Sequence, residues 1–319
     1  IRCYEEARKI SAALGQESML MTTEANLSVL HAKRGDPSAA DAACRRVLAH
    51  EPLWGSARTR FLRLPATGVT SLLLGRYSAA IESLRAAVEI GSELKDSHTL
   101  AFDLIYLAEC HLHRGEIKAS LAALERARTI EPSPRPIRPM AEARRALACA
   151  LRGERIPADG IKAALATTGV RYIDACNRLL LGWAARLGGS GDPREWLEAA
   201  RSFFAAALKP AGEIHAELEL TALDLDQGKR AEAGSRLRAI ERRFKCGSGP
   251  LAHSMLSARL LALKARFLLE EGGSLPQVIS TLVEAESYLI GRRLRDLETS
   301  VRVLRRRIEE ARLEVQELD

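Results

Sequence analysis

Aromatic residues are scarce in this chain of 319 residues, of which they make up only 4%. β-Sheets favour aromatic and β-branched residues, so this scarcity argues against a sheet protein. Ala, Leu and Arg dominate instead, and all three are strong helix formers. The composition predicts an all-α protein.

Long apolar runs are also missing. A membrane-spanning helix needs about 20 consecutive apolar residues, whereas the stretch "LLLGWAARL" is interrupted by Arg186. The N-terminal residues lack the apolar region of a secretory signal peptide. We expect a cytoplasmic protein that does not enter a membrane.

Signatures of catalysis or metal binding are lacking as well. The six cysteines form no CxxC pair, which argues against a disulfide framework or a zinc site. Cys110 and His113 would share a helical face, but no third ligand is evident and a structural role is favoured. The glycine-rich stretches "LGGSGDP" and "CGSGP" match neither a phosphate loop nor a nucleophile elbow. These observations predict a non-enzymatic protein without metal or cofactor.

A glycine-centred turn recurs along the chain. The stretches "RGDPSAADAACRR", "LGRYSAAIESLRAA" and "RGEIKASLAALERA" place Gly35, Gly75 and Gly115 40 residues apart. Glycine suits such turns because it adopts a left-handed backbone without a Cβ clash. Weaker copies occur at Gly153, Gly191, Gly228 and Gly272 to Gly273. The pattern predicts about seven units, each a helix, a glycine turn and a second helix.

Small residues follow most of these glycines, and larger residues lie four positions further on. The small residues are Ala40, Ala80, Ser120, Ala199 and Ala233. The larger ones are Leu84, Leu124, Phe203, Leu237 and Leu282. Small residues allow paired helices to approach closely, and we expect both sets to be buried between helices.

The stretch "LAECHLHRGEIKASLAALERARTIEP" resembles a tetratricopeptide repeat. The residues that carry the resemblance, in the order of the motif, are Leu107, Ala108, Gly115, Leu124, Ala127 and Pro132. The resemblance implies a right-handed α-solenoid of helical hairpins. Repeats near 40 residues are similar to the sensor or scaffold arrays of bacterial signalling ATPases, maltose-type transcription activators and multidomain serine/threonine kinases.

Prolines interrupt the pattern at three places. Pro65 lies inside a first helix, residues 132–139 read "PSPRPIRP", and Pro157 with Gly160 predicts a short second helix. Because interior proline removes a hydrogen bond and clashes one turn back, each site should kink or break a helix. One bent array and a two-lobed array divided near residue 135 both remain open.

The two ends of the chain differ from the middle. The initial "YEEARKISAALG" is interpreted as the second helix of a truncated unit, so we expect residues 1–290 to form an array within a larger protein. Residues 291–319 carry an apolar seam with alternating spacings of three and four, which is typical of a coiled coil. Its members are Leu294, Leu297, Val301, Leu304, Ile308, Ala311, Val315 and Leu318.

This seam has two possible uses. It could cap the array or pair with a second copy, and an open array end would expose apolar surface. We predict a monomer in which Leu297, Val301 and Leu304 contact the preceding hairpin, and dimerisation through residues 291–319 stays the alternative. The contacts expected on that hairpin are Val278, Leu282 and Leu289.

The tetratricopeptide resemblance implies that the first helix of each hairpin lines a concave groove that binds a protein or peptide. The groove candidates are Asn26, Phe102, Tyr106, Glu109, His113, His215 and Glu219. We expect a scaffold or regulatory segment of a signalling protein. The alternative is a domain of a transcription regulator or kinase that senses a small molecule or peptide pheromone.

Basic residues exceed acidic ones only modestly, 48 to 41, for a net charge of +7. The stretch from Gly228 to Lys245 is locally basic, with seven basic residues against two acidic ones. Nucleic acid is nevertheless the less expected partner, because few aromatic residues are available for stacking on bases.

Overall fold

The computed structural model describes residues 1–50, 55–130, 136–246, 254–288 and 295–316, which contain sixteen helices and no strand. The helices are α1 Arg2–Ala13, α2 Glu17–Arg34, α3 Pro37–Ala49, α4 Ala57–Leu73, α5 Tyr77–Glu93, α6 Ser97–His113, α7 Ile117–Arg128, α8 Ile137–Leu151, α9 Ala158–Ala164, α10 Arg171–Gly188, α11 Pro193–Ala206, α12 Pro210–Asp226, α13 Arg230–Cys246, α14 Ser254–Glu270, α15 Leu275–Ser287 and α16 Arg295–Gln316. The predicted all-α class is confirmed. Within these ranges, no helix combines the length and apolar character needed to cross a membrane.

Consecutive helices pack on one another from α1 to α16. The even-numbered helices α2 to α14 are each followed by a short turn and a partner, which gives seven hairpins in the described part of the chain. Each even-numbered helix also packs on the next even-numbered helix, so these helices form a continuous layer. We call this layer the inner layer.

Glycine turns join the two helices of each hairpin, as the sequence predicts. Gly35, Gly75 and Gly115 have φ of 81°, 72° and 66°, and lie directly between helices. The four later turns have left-handed glycines at Gly153, Gly191, Gly228 and Gly272. After the turn at Gly35, the Asp36 carboxylate accepts a hydrogen bond from the backbone N–H of Ala39 at 2.9 Å and caps α3. The predicted turn positions are therefore confirmed.

The predicted small residues are fully buried at Ala40, Ala80, Ser120 and Ala233. The prediction for Ala199 is wrong, because this residue is exposed.

Helix α11 instead buries a stripe one residue later, which includes Leu197, Ala200 and Phe204. A Cβ added at Gly182 on α10 would lie 2.6 Å from Leu197 Cγ. Gly182 on the first helix of the hairpin therefore permits the close contact with Leu197.

The three proline sites behave differently. The prediction that Pro65 kinks or breaks its helix is wrong as to a break, because α4 continues from Ala57 to Leu73. Proline in a helix interior costs about 3 kcal/mol, and burial of Phe61 and Leu64 beside it opposes that cost. Pro157 precedes α9, which has only 7 residues, as predicted.

Residues 131–135 of the proline-rich stretch lie outside the described residues. Helix α8 begins at Ile137, and Pro139 lies in its first turn, where backbone N–H groups have no intrahelical acceptor. Both α6 and α7 pack on α8, so helix packing continues across this stretch.

The array curves enough for distant hairpins to touch. The Tyr77 hydroxyl on α5 donates a hydrogen bond to Met255 Sδ on α14 at 3.1 Å. The Lys33 ammonium on α2 lies 5.1 Å from the ring centroid of Tyr172 on α10, and α2 also contacts α12. The chain's own side chains therefore fill part of the space between these distant hairpins.

Helix α16 packs on α14 and α15. Val301 and Leu304 are buried in one apolar cluster with Val278 and Leu282, as the seam predicts. The side chains of the other two residues in that prediction, Leu297 and Leu289, lie outside the described residues.

Ion pairs support the same position of α16. The Arg305 guanidinium on α16 binds both carboxylate oxygens of Glu286 on α15. Arg306 pairs with Glu310 at 3.0 Å within α16. The bidentate pair joins α16 to the last hairpin.

Candidate functional site: a cavity on the inner layer

A cavity of about 680 Å³ lies against the inner layer and is bordered by helices from α6 to α16. Much of its wall is apolar, and the larger aliphatic residues are Leu112, Ile117, Leu151, Leu187, Leu218, Leu263, Val303 and Leu304. Four arginines and two acidic residues complete the charged part of the wall, namely Arg186, Arg259, Arg266, Arg307, Glu219 and Asp226. The cavity thus combines aliphatic walls with concentrated charge.

Glu219 on α12 is the most buried charged group of the wall, with a side chain 2% exposed. Arg186 Nε donates a hydrogen bond to Glu219 Oε2 at 3.1 Å, and the Arg259 guanidinium donates to Glu219 Oε1. The carboxylate therefore bridges α10 and α14. A buried carboxylate with two guanidinium partners fixes the distance between neighbouring helices, because either arginine alone would be costly to bury.

A second carboxylate continues the chain of charges. Asp226 accepts hydrogen bonds from Arg186 Nη1 at 3.1 Å and from Arg266 Nη1 at 2.7 Å. Arg266 Nε also donates to Glu270 Oε1 at 2.8 Å. Arg307 Nη1 on α16 lies 3.8 Å from the same Glu270 oxygen. Charges of alternating sign thus connect α10, α12, α14 and α16.

Trp183 provides the aromatic part of the wall. The Arg259 guanidinium lies 4.1 Å from its ring centroid, a distance suited to a cation–π contact. The rings of His215 and His113 lie 5.6 Å and 6.4 Å from the Trp183 ring, and His113 stacks on Tyr77 at 4.9 Å. This aromatic group links α5, α6, α10, α12 and α14 beside the cavity.

The predicted groove residues fall into three places. Glu219 lines the cavity, and His113 and His215 pack against its Trp183 wall. Phe102, Tyr106 and Glu109 are half-buried on α6 outside the cavity lining, and Asn26 is half-buried on α2. Their roles in binding stay predictions.

The α6 candidates adjoin a second polar cluster, formed with α2, α8 and α10. Arg144 Nε donates a hydrogen bond to Glu109 Oε2 at 2.9 Å. Burial raises the pKa of Tyr106 to about 12 and that of Cys176 to about 11, and burial lowers the pKa of Lys33. Tyr106 and Cys176 are therefore uncharged at neutral pH, and this cluster offers no thiolate nucleophile.

Sequence reasoning missed a buried acid, Asp103 on α6, which is 1% exposed. Burial raises its pKa to about 8. Among the described residues, its Oδ2 has no hydrogen-bond partner. Asp103 is therefore protonated at neutral pH in the folded state and is a source of pH-dependent stability.

Sequence reasoning also missed the cavity arginines, although the chain contains a signal for them. Arg186, Asp226 and Arg266 are 40 residues apart, and so are Glu219 and Arg259. Opposite charges recur at the spacing that separates the first glycine turns. This offset places the two residues of each pair on neighbouring inner helices, where they form ion pairs.

The basic helix α13 is partly neutralised by its neighbours. Arg236 donates hydrogen bonds to Glu198, Glu217 and Asp224 at 3.1, 2.8 and 3.0 Å. Arg243 donates to Glu213 at 2.7 Å. These arginines already have carboxylate partners, which reduces the positive potential available to a nucleic acid.

No protein-family model matches the chain, and no curated protein matches its sequence. The tetratricopeptide resemblance rests on the residues of 107–132 and on the recurring glycine turns.

Proposed function

We propose that this chain is a non-enzymatic binding module whose ligand occupies the inner cavity. The observation that carries this proposal is the cavity itself, about 680 Å³ in volume with apolar walls and a few convergent charged groups. Small-molecule sites typically have volumes of about 300–1,000 Å³ and this kind of lining. The module resembles a sensor more closely than an open scaffold.

The contacts across the array favour a small ligand over a protein partner in an open groove. The pairs Tyr77 with Met255 and Lys33 with Tyr172 fill parts of the inner side with the chain's own residues. A protein or peptide partner remains the second candidate, because half-buried side chains such as Phe102 lie on the inner helix α6.

A binding role fits the state of the cavity's acids better than catalysis does. Glu219 and Asp226 each accept hydrogen bonds from two guanidinium groups. Carboxylates held this way are poor general bases, because protonation would break two ion pairs. We propose on this ground that the module hydrolyses nothing.

We also propose that the hairpins are tetratricopeptide-like repeats of a right-handed solenoid, within a cytoplasmic regulatory segment of a larger bacterial signalling protein. Support comes from Ala40, Ala80 and Ser120, which are completely buried five residues after successive turn glycines. The left-handed glycines at the turns of all seven hairpins support the same repeat.

The cavity can be tested with the neutral fluorescent probe N-phenyl-1-naphthylamine. We expect saturable binding at one site on the full chain. Ala222 lines the cavity and is 5% exposed, so Ala222→Phe should fill the site and abolish binding. The matched control is Ala239→Phe on the exposed face of α13, which should bind like the parent.

Circular dichroism and thermal unfolding would show that both variants are folded. If Ala222→Phe fails to fold, Ala262→Phe replaces it, since Ala262 also lines the cavity. Unchanged probe binding in a folded cavity-filling variant, or no saturable binding to the parent, would refute the proposed function.

A further inference from the structure

The arginines of the cavity wall alternate with carboxylates along a chain of ion pairs. Glu219, Asp226 and Glu270 each contact two of the four arginines. Within the described contacts, this chain of ion pairs reaches Arg307 on α16.

Donor groups that remain available to a ligand lie at the α14–α16 end of the network. Arg186 makes hydrogen bonds with two carboxylates. Among the described residues, Arg307 has in contrast a single ion pair, with Glu270 at 3.8 Å, which is longer than a hydrogen bond. Its side chain is 53% exposed, so its donor groups are accessible.

Arg266 lies beside Arg307 and can donate a further hydrogen bond. Its Nε and Nη1 donate to Glu270 and Asp226, whereas its Nη2 makes no hydrogen bond to any residue that the structure describes. Both guanidinium groups approach the same Glu270 oxygen, at 2.8 and 3.8 Å. An anionic oxygen placed between Arg266 and Arg307 would receive charge-assisted hydrogen bonds from both.

The aliphatic part of the cavity wall favours a ligand with an apolar body. Leu112, Ile117 and Leu151 are contributed by α6, α7 and α8, and Leu218 and Leu263 by α12 and α14. An inorganic anion would leave this apolar surface without a contact. A ligand with an apolar body would remove this apolar surface from water, which favours binding by about 25 cal/mol per Å² of surface buried.

We propose that the cavity binds a small amphiphilic anion, with its charged group between Arg266 and Arg307 and its apolar chain on the leucine wall. This inference rests on the proposed function, because it names the ligand class of the same cavity. Arg307 belongs to α16 and Arg266 to α14, so the bound anion also fastens α16 to the array. The anion can be a carboxylate or a phosphate monoester.

Calorimetry on the full chain with four probes tests this inference. Octanoate and octyl phosphate carry the two kinds of anion, 1-octanol lacks the charge, and acetate lacks the apolar chain. We expect octanoate or octyl phosphate to bind at one site, about 10-fold or more tightly than 1-octanol. Acetate should show no measurable binding. The stronger of the two anions identifies the preferred headgroup.

Arg307→Met removes the guanidinium and keeps an apolar side chain of similar length. We expect the affinity for the preferred anion to fall about 10-fold or more and the affinity for 1-octanol to stay unchanged. The matched control is Arg306→Met, because Arg306 is the neighbouring residue and its side chain is 84% exposed. This control should bind both ligands like the parent.

Several results would overturn the ligand class while leaving the proposed function intact. Equal binding of 1-octanol and both anions, with loss of all three in Ala222→Phe, would indicate an apolar site without anion recognition. Equal losses in Arg307→Met and Arg306→Met would indicate a general charge effect. Absence of octanoate and octyl phosphate binding, with retained N-phenyl-1-naphthylamine binding, would also reject the amphiphilic anion.

Discussion

The substitution Glu219→Gln tests whether the cavity's charge network holds the inner layer together. It preserves the shape of the side chain but removes the charge that Arg186 and Arg259 share. The side chains of these two arginines are 15% and 9% exposed, and that of Glu219 is 2% exposed. Both largely buried guanidinium groups would therefore lose a charged partner, and Arg186 would keep its hydrogen bond to Asp226.

Removing one partner of a buried ion pair typically costs about 3–5 kcal/mol. Glutamine can still accept one hydrogen bond, so we expect a loss near the lower end, about 3 kcal/mol. Urea unfolding followed by circular dichroism, without added ligand, measures this loss. The matched control Glu310→Gln removes a surface partner of Arg306, whose side chain is 84% exposed, and should cost less than about 0.5 kcal/mol.

Comparing the urea midpoints of the two variants tests whether the buried ion pairs stabilise the fold. A clearly lower urea midpoint for Glu219→Gln alone would support the network as a stabilising element. Equal midpoints for Glu219→Gln and Glu310→Gln would show that the buried pairs contribute no more than a surface pair, and the reasoning would be refuted.

Three further predictions concern packing and pH. Ala80→Leu should cost about 1–3 kcal/mol by overpacking a fully buried position, whereas Glu82→Gln on the exposed face should cost less than about 0.5 kcal/mol; equal urea midpoints would contradict the assigned faces. Gly182→Ala should lower the thermal midpoint, because the new Cβ would lie 2.6 Å from Leu197 Cγ, and an unchanged midpoint would contradict this tight contact. Asp103 has a pKa of about 8 in the folded state and about 3.9 in the unfolded state. Between these pH values the folded state holds one proton more than the unfolded state. The free energy of unfolding should therefore fall as pH rises, by about 1.4 kcal/mol per pH unit. Asp103→Asn should remove that slope when urea stability is compared at pH 5.5, 6.5 and 7.5, and parallel pH profiles for parent and variant would contradict the assignment.

Local pattern predicted the helices and turns of this fold well. Gly35, Gly75 and Gly115 could be placed because a left-handed turn has a strong preference for glycine. The register of α11 was misplaced by one residue, because Ala199 and Ala200 are both alanine and Phe203 and Phe204 are both phenylalanine. Both registers therefore match the pattern of a small residue followed four positions later by a large one.

Pro65 shows a different limit of sequence reasoning. Its local cost predicted a kink or a break, but α4 is continuous across Pro65, and Phe61 and Leu64 in the preceding turn are buried. Tertiary packing overrides a local preference of this size. The local rule therefore identified the unfavourable residue and misjudged its consequence.

The candidate site was harder to predict, because it is assembled from helices distant in the chain. Glu219 was named as a groove residue, but Arg186 and Arg259 lie 33 and 40 residues from it. Their pairing depends on which positions of successive inner helices face one another. Searching for opposite charges 40 residues apart would have found Asp226 with both of its arginines.

The central claim, that the inner cavity holds an amphiphilic anion, can be tested most directly by crystallography with 8-bromooctanoate. We predict one bromine anomalous peak against the leucine wall of the cavity, with the carboxylate within hydrogen-bond distance of Arg266 and Arg307. Bromine peaks only outside the cavity, or a carboxylate directed away from both arginines, would contradict the account.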